Sequence, residues 1–307
     1  MHQVICIGSA LVDIYIHSQE FKTQPSPQGE LLCQLYGDKL EVDSFSVYTG
    51  GGASNTAVGF ARMGFKTGIV CETGRDKFSY LVTEDLRQED VDLSLVIEEK
   101  KEQTGGSVIL VGPDGERSIM VHRGASSLLD PYDIPSYWLS QSRWVHLSSI
   151  AGRQETLAKI FELVDRQPEL SLSWNPGKQE LLLLENGQLQ PEQVSCQVLF
   201  LNRREWQMIS NVQAQLLRKV PQIVVTDGER GGDVYSQGEH LLHYQAITSQ
   251  TRDTTGAGDS FSVGFVSGQL LNKSIEQSVE MGGLNAASVV QYYGAKPGLL
   301  SREELVK

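Results

Sequence analysis

Asp253-Thr254-Thr255-Gly256-Ala257-Gly258-Asp259, running straight into Ser260-Phe261-Ser262-Val263-Gly264-Phe265-Val266, is the stretch from which the rest of the chain can be read. Glycines at 256 and 258 allow a tight turn and leave amide N–H groups uncovered, and the apolar run from Phe261 reads as a buried helix that starts at that turn. Such a loop is an anion site. Asp259, in the first helical turn, is then a carboxylate held beside the place of a phosphate, which suits a proton acceptor for a hydroxyl attacking phosphorus. Plainer readings exist: an aspartate near a helix N-terminus complements the helix dipole, and Gly-x-Gly turns are ordinary loops.

Upstream, short apolar runs at 4–7, 67–71, 144–147, 170–174, 198–201 and 223–226 alternate with helix-like stretches near 54–63, 78–88, 154–166 and 211–219. Continuous apolar strands separated by helices predict an α/β fold, a doubly wound, mostly parallel sheet with helices on both faces. Two segments break the rhythm, 15–48 and 95–121. In the second, Gly106-Ser107-Val108-Ile109-Leu110-Val111 and Ser118-Ile119-Met120-Val121 flank the turn Gly112-Pro113-Asp114-Gly115 and look like antiparallel strands. We expect residues 1–14, 49–94 and 122–307 to form the core, and 15–48 with 95–121 to form a small β lid over the sheet's C-terminal edge.

Bulk properties exclude more than they identify. The chain has 307 residues, 40% hydrophobic, and a formal net charge of −12, which argues against nonspecific binding of nucleic acid or an anionic membrane. A polyanionic ligand must therefore be met by local amides, a cation or a few basic side chains. Cys6, Cys33, Cys71 and Cys196 are scattered without a Cys-x-x-Cys pair, so reduced thiols are expected. The start of the chain lacks a basic leader and no apolar stretch approaches bilayer length, from which we expect a cytoplasmic protein. Asn272-Lys273-Ser274 reads as a chance sequon, and His240 and His243 have no carboxylate or thiol neighbour at metal-site spacing. Competing phosphate motifs are missing: the one Gly-Lys is Gly177-Lys178-Gln179, not a Walker loop, and Phe261 stands where a dinucleotide fingerprint needs its third glycine.

With the sequence 253–259 matching its C-terminal signature at every position, the chain resembles the ribokinase-like (PfkB) family of small-molecule kinases. A second signature, a Gly-Gly pair followed by an Asn that opens a helix, is met by Gly50-Gly51-Gly52-Ala53-Ser54-Asn55. Lesser features fill the interval: Gly8 to Asp13, Gly74-x-Asp76, Gly115-Glu116-Arg117-Ser118, Gly124-Ala125, Asn202-x-x-Glu205, Thr226-x-Gly228 and Gly294-Ala295. The resemblance implies a ribokinase-like fold whose β lid closes over the sugar and often forms a dimer surface. It implies transfer of the ATP γ-phosphoryl group to a hydroxymethyl oxygen, with Mg²⁺ as helper. Asp259 would be the base, with Gly256, Ala257 and Gly258 supplying the anion hole.

The remaining roles follow from the same resemblance, each beside a simpler one. Asp13 would hydrogen-bond two sugar hydroxyls, as an acceptor-only carboxylate can, or be a solvated loop acid. Gly51, Gly52 and Asn55 would lie against the sugar, or merely begin a helix, since Asn is a good N-cap. Many ribokinases carry Lys at the place of Gly52, which argues against ribose. Asn202 and Glu205 would organise Mg²⁺ and its waters, and their spacing is also that of a capping box. Thr226, Gly228 and Asn285 would line the nucleotide side, and Arg123 would reach an anionic substrate group or lie on the surface. Asp253 would help hold a monovalent cation, K⁺, although Gly298 stands where several members place a Ser ligand. The sharpest rival is a nucleoside kinase with Tyr15, Phe45 and Tyr48 as a wall for the base. A rival of another class is a noncatalytic sugar- or nucleotide-binding regulator, which would be expected to have lost Asp259 or the glycines.

Overall fold

All four side chains of the first strand, Val4–Ile7, are buried. Successive side chains of a strand point to opposite faces, so Val4 and Cys6 join one apolar cluster while Ile5 and Ile7 join another. This is why the core strands are apolar throughout instead of alternating. The computed structural model describes residues 1–27 and 29–306; Gln28 of the expected lid and Lys307 of the expected core lie outside the described residues.

The main sheet has eight strands in the order Glu239–Tyr244, Gly232–Ser236, Gln222–Thr226, Val198–Asn202, Ser171–Trp174, Trp144–Leu147, Val4–Ile7 and Thr67–Val70. The six strands expected from the apolar runs are parallel, and the hairpin Gly232–Tyr244 adds an antiparallel edge. Helices Gly52–Arg62, Lys77–Gln88, Ala257–Leu270 and Ile275–Val289 cover one face, burying Phe60, Val82, Phe265 and Met281. Helices Gln154–Asp165, Lys178–Glu185, Arg203–Met208 and Gln213–Lys219 cover the other through Leu157, Leu181, Trp206 and Leu216. From Val4–Ile7 the chain passes first to Thr67–Val70 on one side and later to Trp144–Leu147 on the other, so the order reverses there and a crevice opens at the carboxyl ends of the strands.

Over that crevice lies a four-stranded sheet in the order Arg117–His122, Gly105–Val111, Leu11–His17 and Ser44–Gly50. Its limits differ from those expected. Residues 11–14 belong to a lid strand because pairing with Ser44–Gly50 and Gly105–Val111 runs unbroken from Leu11 to His17, with only three residues between this strand and the core strand. The lid strands likewise run on to Gly50 and His122. Part of segment 95–104 stays with the core, where Ile97–Glu98 pairs with Glu72–Thr73. A separate two-stranded ribbon, Lys22–Ser26 with Gly29–Cys33, projects from the lid. All four cysteines are free, and Cys6, Cys71 and Cys196 are buried. Among the described residues no helix is long and apolar enough to cross a membrane.

Candidate active site

The helix Ala257–Leu270 starts from Gly256, whose φ of 76° is left-handed. A side chain there would bring its Cβ to 2.8 Å from the Ala295 Cα, so the turn requires glycine twice over. Asp259 falls in the first turn. Its Oδ2 accepts a hydrogen bond from the Asn55 Nδ2 at 2.8 Å. Burial pushes its carboxyl up from 3.8 to about 6, against the pull of the Asn55 amide. Of the amides expected to form an anion hole, that of Ala257 turns back to the Thr254 carbonyl at 3.2 Å. Among the described residues the amides of Gly256, Gly258 and Asp259 donate no hydrogen bond, so bare donors remain at this helix start.

Two cavities meet at this helix tip. One, of about 160 Å³, is lined by Asn175, Asn202, Glu205, Thr226, Gly258 and Asp259. The other, of about 230 Å³, has Tyr244, Ile247, Ala286 and Val290 as apolar walls and shares Thr226 and Gly258 with the first, while Gly228 lines its rim. Asn202 and Glu205 make the capping box: the Glu205 amide donates to the Asn202 Oδ1 at 2.9 Å, and the Asn202 amide to the Glu205 Oε2 at 2.8 Å. Burial pushes the Glu205 carboxyl up, the bonds from Asn202 oppose this, and the Asp259 charge adds to it. No cluster of three or more metal-ligating side chains occurs among the described residues. Two carboxylates on one small cavity instead suit Mg²⁺, which keeps most of its waters and is bound chiefly by substrate phosphates. Asn175, at the end of strand Ser171–Trp174, was not singled out by the sequence because no local pattern marks it.

Across the helix tip lie the residues expected on the acceptor side. Gly51, with φ 95°, caps helix Gly52–Arg62, and a Cβ on it would stand 2.5 Å from the Ser9 carbonyl oxygen. A Cβ on Gly52 would meet the Ser148 Cβ at 2.6 Å and stand 3.8 Å from the Asp259 Oδ1; a lysine there has no room without movement. Asn55 is not the cap but sits a turn inside the helix, 4% exposed. Its amide serves Asp259, and its Oδ1 is buried without a partner among the described residues. Asp13 packs against Gly50 and accepts a bond from the Ser107 hydroxyl. Burial pushes its carboxyl up, opposed by the Ser107 bond, with the Asp253 charge adding a further rise.

Other expected residues are placed elsewhere. Arg123 is exposed, and its guanidinium has no partner among the described residues. Asn285 is fully buried, donating to the Ser260 carbonyl at 2.7 Å and accepting from the Leu300 amide at 2.9 Å. It braces two helices, while its neighbours Gly283, Ala286 and Ala287 face the cavity walled by Tyr244 and Ile247. Tyr15 does not wall a base pocket: its hydroxyl donates to the Asp253 Oδ2 at 2.6 Å, and its ring meets Tyr48 edge-on at 5.4 Å. Phe45, paired with Ile16, lies on the opposite face of the lid and is 62% exposed. His240 and His243 do have a carboxylate neighbour, Asp233 on the adjoining strand, whose Oδ1 is 3.0 Å from a ring nitrogen of each.

Asp253 is the largest departure. It is 3% exposed and its two oxygens receive five donors. The Thr255 amide and hydroxyl reach Oδ1 at 2.9 and 2.7 Å, the Gly294 amide reaches Oδ2 at 3.1 Å beside the Tyr15 bond, and the Arg117 guanidinium pairs with Oδ1. Burial pushes this carboxyl up, but the bonds from Tyr15, Thr255 and Gly294 outweigh it and hold the group below the usual carboxylate range. A carboxylate offers about four lone-pair sites, so this one does not fit a monovalent cation.

Comparison with known proteins accords with this geometry. Residues 1–302 match the pfkB family carbohydrate kinase family. The nucleoside kinase of Methanocaldococcus jannaschii is 23% identical over 311 residues, covering 100% of this chain and 96% of that protein. The Escherichia coli fructokinase is 28% identical over 280 residues, covering 83% and 90%. In fold, the structure of Arabidopsis thaliana ribokinase complexed with ribose and ATP aligns with a TM-score of 0.75 at 23% identity, covering 99% and 97% of the two chains. The chain belongs to the pfkB family of carbohydrate kinases, phosphotransferases that act on a hydroxyl group of a sugar or nucleoside with ATP as co-substrate.

Proposed function

We propose that this protein transfers the ATP γ-phosphoryl group to a hydroxymethyl oxygen of a sugar, with Asp259 as general base. One observation carries the proposal: the Asp259 carboxylate stands at a helix tip between the Asn202–Glu205 cavity and the glycine loop of the acceptor side. Its carboxyl, raised to about 6, is ionised near neutral pH and still basic enough to accept a proton in the transition state. The acceptor hydroxyl would lie between Asp259 and Asp13, and a second substrate hydroxyl would satisfy the orphaned Asn55 Oδ1. The amides of Gly258 and Asp259 would meet the charge of the migrating group, and the apolar cavity around Tyr244 and Ile247 would hold the base of the nucleotide. Glu205 and Asn202 would hold hydrated Mg²⁺, which neutralises phosphate charge. The lid would exclude water and so suppress hydrolysis of ATP.

Its outer face, with Phe45, Val47 and Met120 exposed, supports a homodimer through the lid. A cytoplasmic location fits an ATP consumer with free thiols.

A nucleoside acceptor is the second reading. Val121 pairs with Ser107, and Ser107 with Asp13, which places Val121 and, two residues away, Ile119 on the lid face that bears Asp13. They are 57% and 49% exposed and offer an apolar surface to a base. ADP release over a panel of pentoses, hexoses, keto-sugars and nucleosides, with the product located by phosphorus NMR, separates the two. ADP formed with sugars supports the first reading and with nucleosides the second. Binding of sugar and ATP with no ADP in any mixture would overturn both in favour of a regulator.

A further inference from the structure

The lid carries a cation of its own to the signature loop. Arg117 opens the lid strand Arg117–His122; one arm of its guanidinium pairs with the Asp253 Oδ1, and the other donates to the Thr254 hydroxyl at 2.7 Å. Tyr15, on the lid strand Leu11–His17, donates to the other oxygen of Asp253 and lies 3.2 Å from the Thr255 hydroxyl. Two lid strands thus grip residues 253–255, which lead directly into Gly256. The guanidinium gives the buried carboxylate a neutralising charge and a fixed two-pronged geometry. A monovalent ion at this carboxylate would have to displace Arg117 or sit against its charge, with no lone pair left to bind it.

We propose that Arg117 takes the place of a monovalent cation at Asp253, so that the glycine loop is set by docking of the lid and not by binding of an ion. Arg117 is a positioning residue in this scheme: it acts through Asp253 and Thr254 on the loop. Turnover is then independent of K⁺, and the anion hole is complete only when the lid is seated. The proposal rests on the kinase reading for its activity arm alone.

The test measures initial rates and melting curves of the full chain with ATP and Mg²⁺ in choline chloride, replaced stepwise by KCl at constant ionic strength. The wild-type rate is expected to stay within about twofold throughout, and its melting temperature to be unmoved. Arg117→Met should lose about a hundredfold in turnover in choline, comparable to removing a donor from an anion hole. KCl should then restore about tenfold or more of that loss and raise the variant's melting temperature, because the vacated carboxylate becomes an ion site. Arg117→Lys, which keeps the charge but not the fork, should fall between the two and remain insensitive to K⁺. Rescue of Arg117→Met by K⁺ is an effect that a purely structural role would not produce. Tenfold activation of the wild type by K⁺ with a rise in its melting temperature would overturn the proposal, as would an Arg117→Met variant that responds to K⁺ no more than wild type. Absence of ADP formation in every salt would count against the kinase reading, and the melting curves would still decide the cation question.

Discussion

Replacing Asp259 by asparagine should inactivate the protein and stabilise it at once. The carboxyl rises from 3.8 to about 6 in the folded state, so between those values the native protein holds a proton that the unfolded chain has lost. The stabilisation linked to this group is full below about pH 4 and is lost as pH rises through about 6. At about 1.4 kcal/mol per pH unit, the ionised carboxylate costs the native state up to about 3 kcal/mol at neutral pH. Asparagine keeps an acceptor for the Asn55 amide and carries no charge, so Asp259→Asn should raise the melting temperature by several degrees at pH 7.5. The gap should close as the wild type is protonated on the way down to pH 4. Turnover, followed by ADP release, should fall by about two to four orders of magnitude while nucleotide binding changes little. A variant with near-normal turnover would remove the base assignment. One that melts below wild type at pH 7.5, with a difference that does not vary with pH, would refute the electrostatic argument.

The wild-type acceptor kcat/KM should fall below about pH 6 as Asp259 is protonated, and Asn55→Leu, which removes a bond to a charged group, should move that limb upward by about one pH unit or more; an unmoved limb would mean that Asn55 does not tune the base. Glu205→Gln should raise the Mg²⁺ concentration needed for half-maximal rate about tenfold and leave the acceptor KM unchanged, and an unchanged Mg²⁺ titration would end the assignment of Glu205.

What was legible in the sequence was whatever is written locally. Strands buried on both faces are continuous apolar runs, so Val4–Ile7 and its five parallel neighbours could be seen without a structure. The helix tip at Gly256 could be seen because the left-handed turn and the first-turn carboxylate are sequence neighbours. What escaped was convergence across long separations. Arg117 and Tyr15 are 136 and 238 residues from Asp253, and only the lid's placement over the crevice joins them. Asn55 had the right type for a cap, but the left-handed Gly51 starts the helix earlier and turns its amide inward to Asp259. Asn285 had the right region, but its helix face packs inward while Ala286 and Ala287 face the cavity. The histidine partner Asp233 was recoverable in principle: residues 233 and 243 lie at nearly equal distances from the turn at Gln237-Gly238, so a hairpin pairs them.

Three residues after the core strand Val4–Ile7 the chain enters the lid strand Leu11–His17, which carries Asp13, whereas Asp259, Glu205 and the cavity walled by Tyr244 and Ile247 belong to the core. On the proposed reading the lid contributes to the choice of acceptor, while the general base sits on the core. On that reading, a descendant of this protein could acquire a new acceptor by altering lid positions such as Ile119 and Val121, provided that Arg117 and Tyr15, which grip the signature loop, are kept.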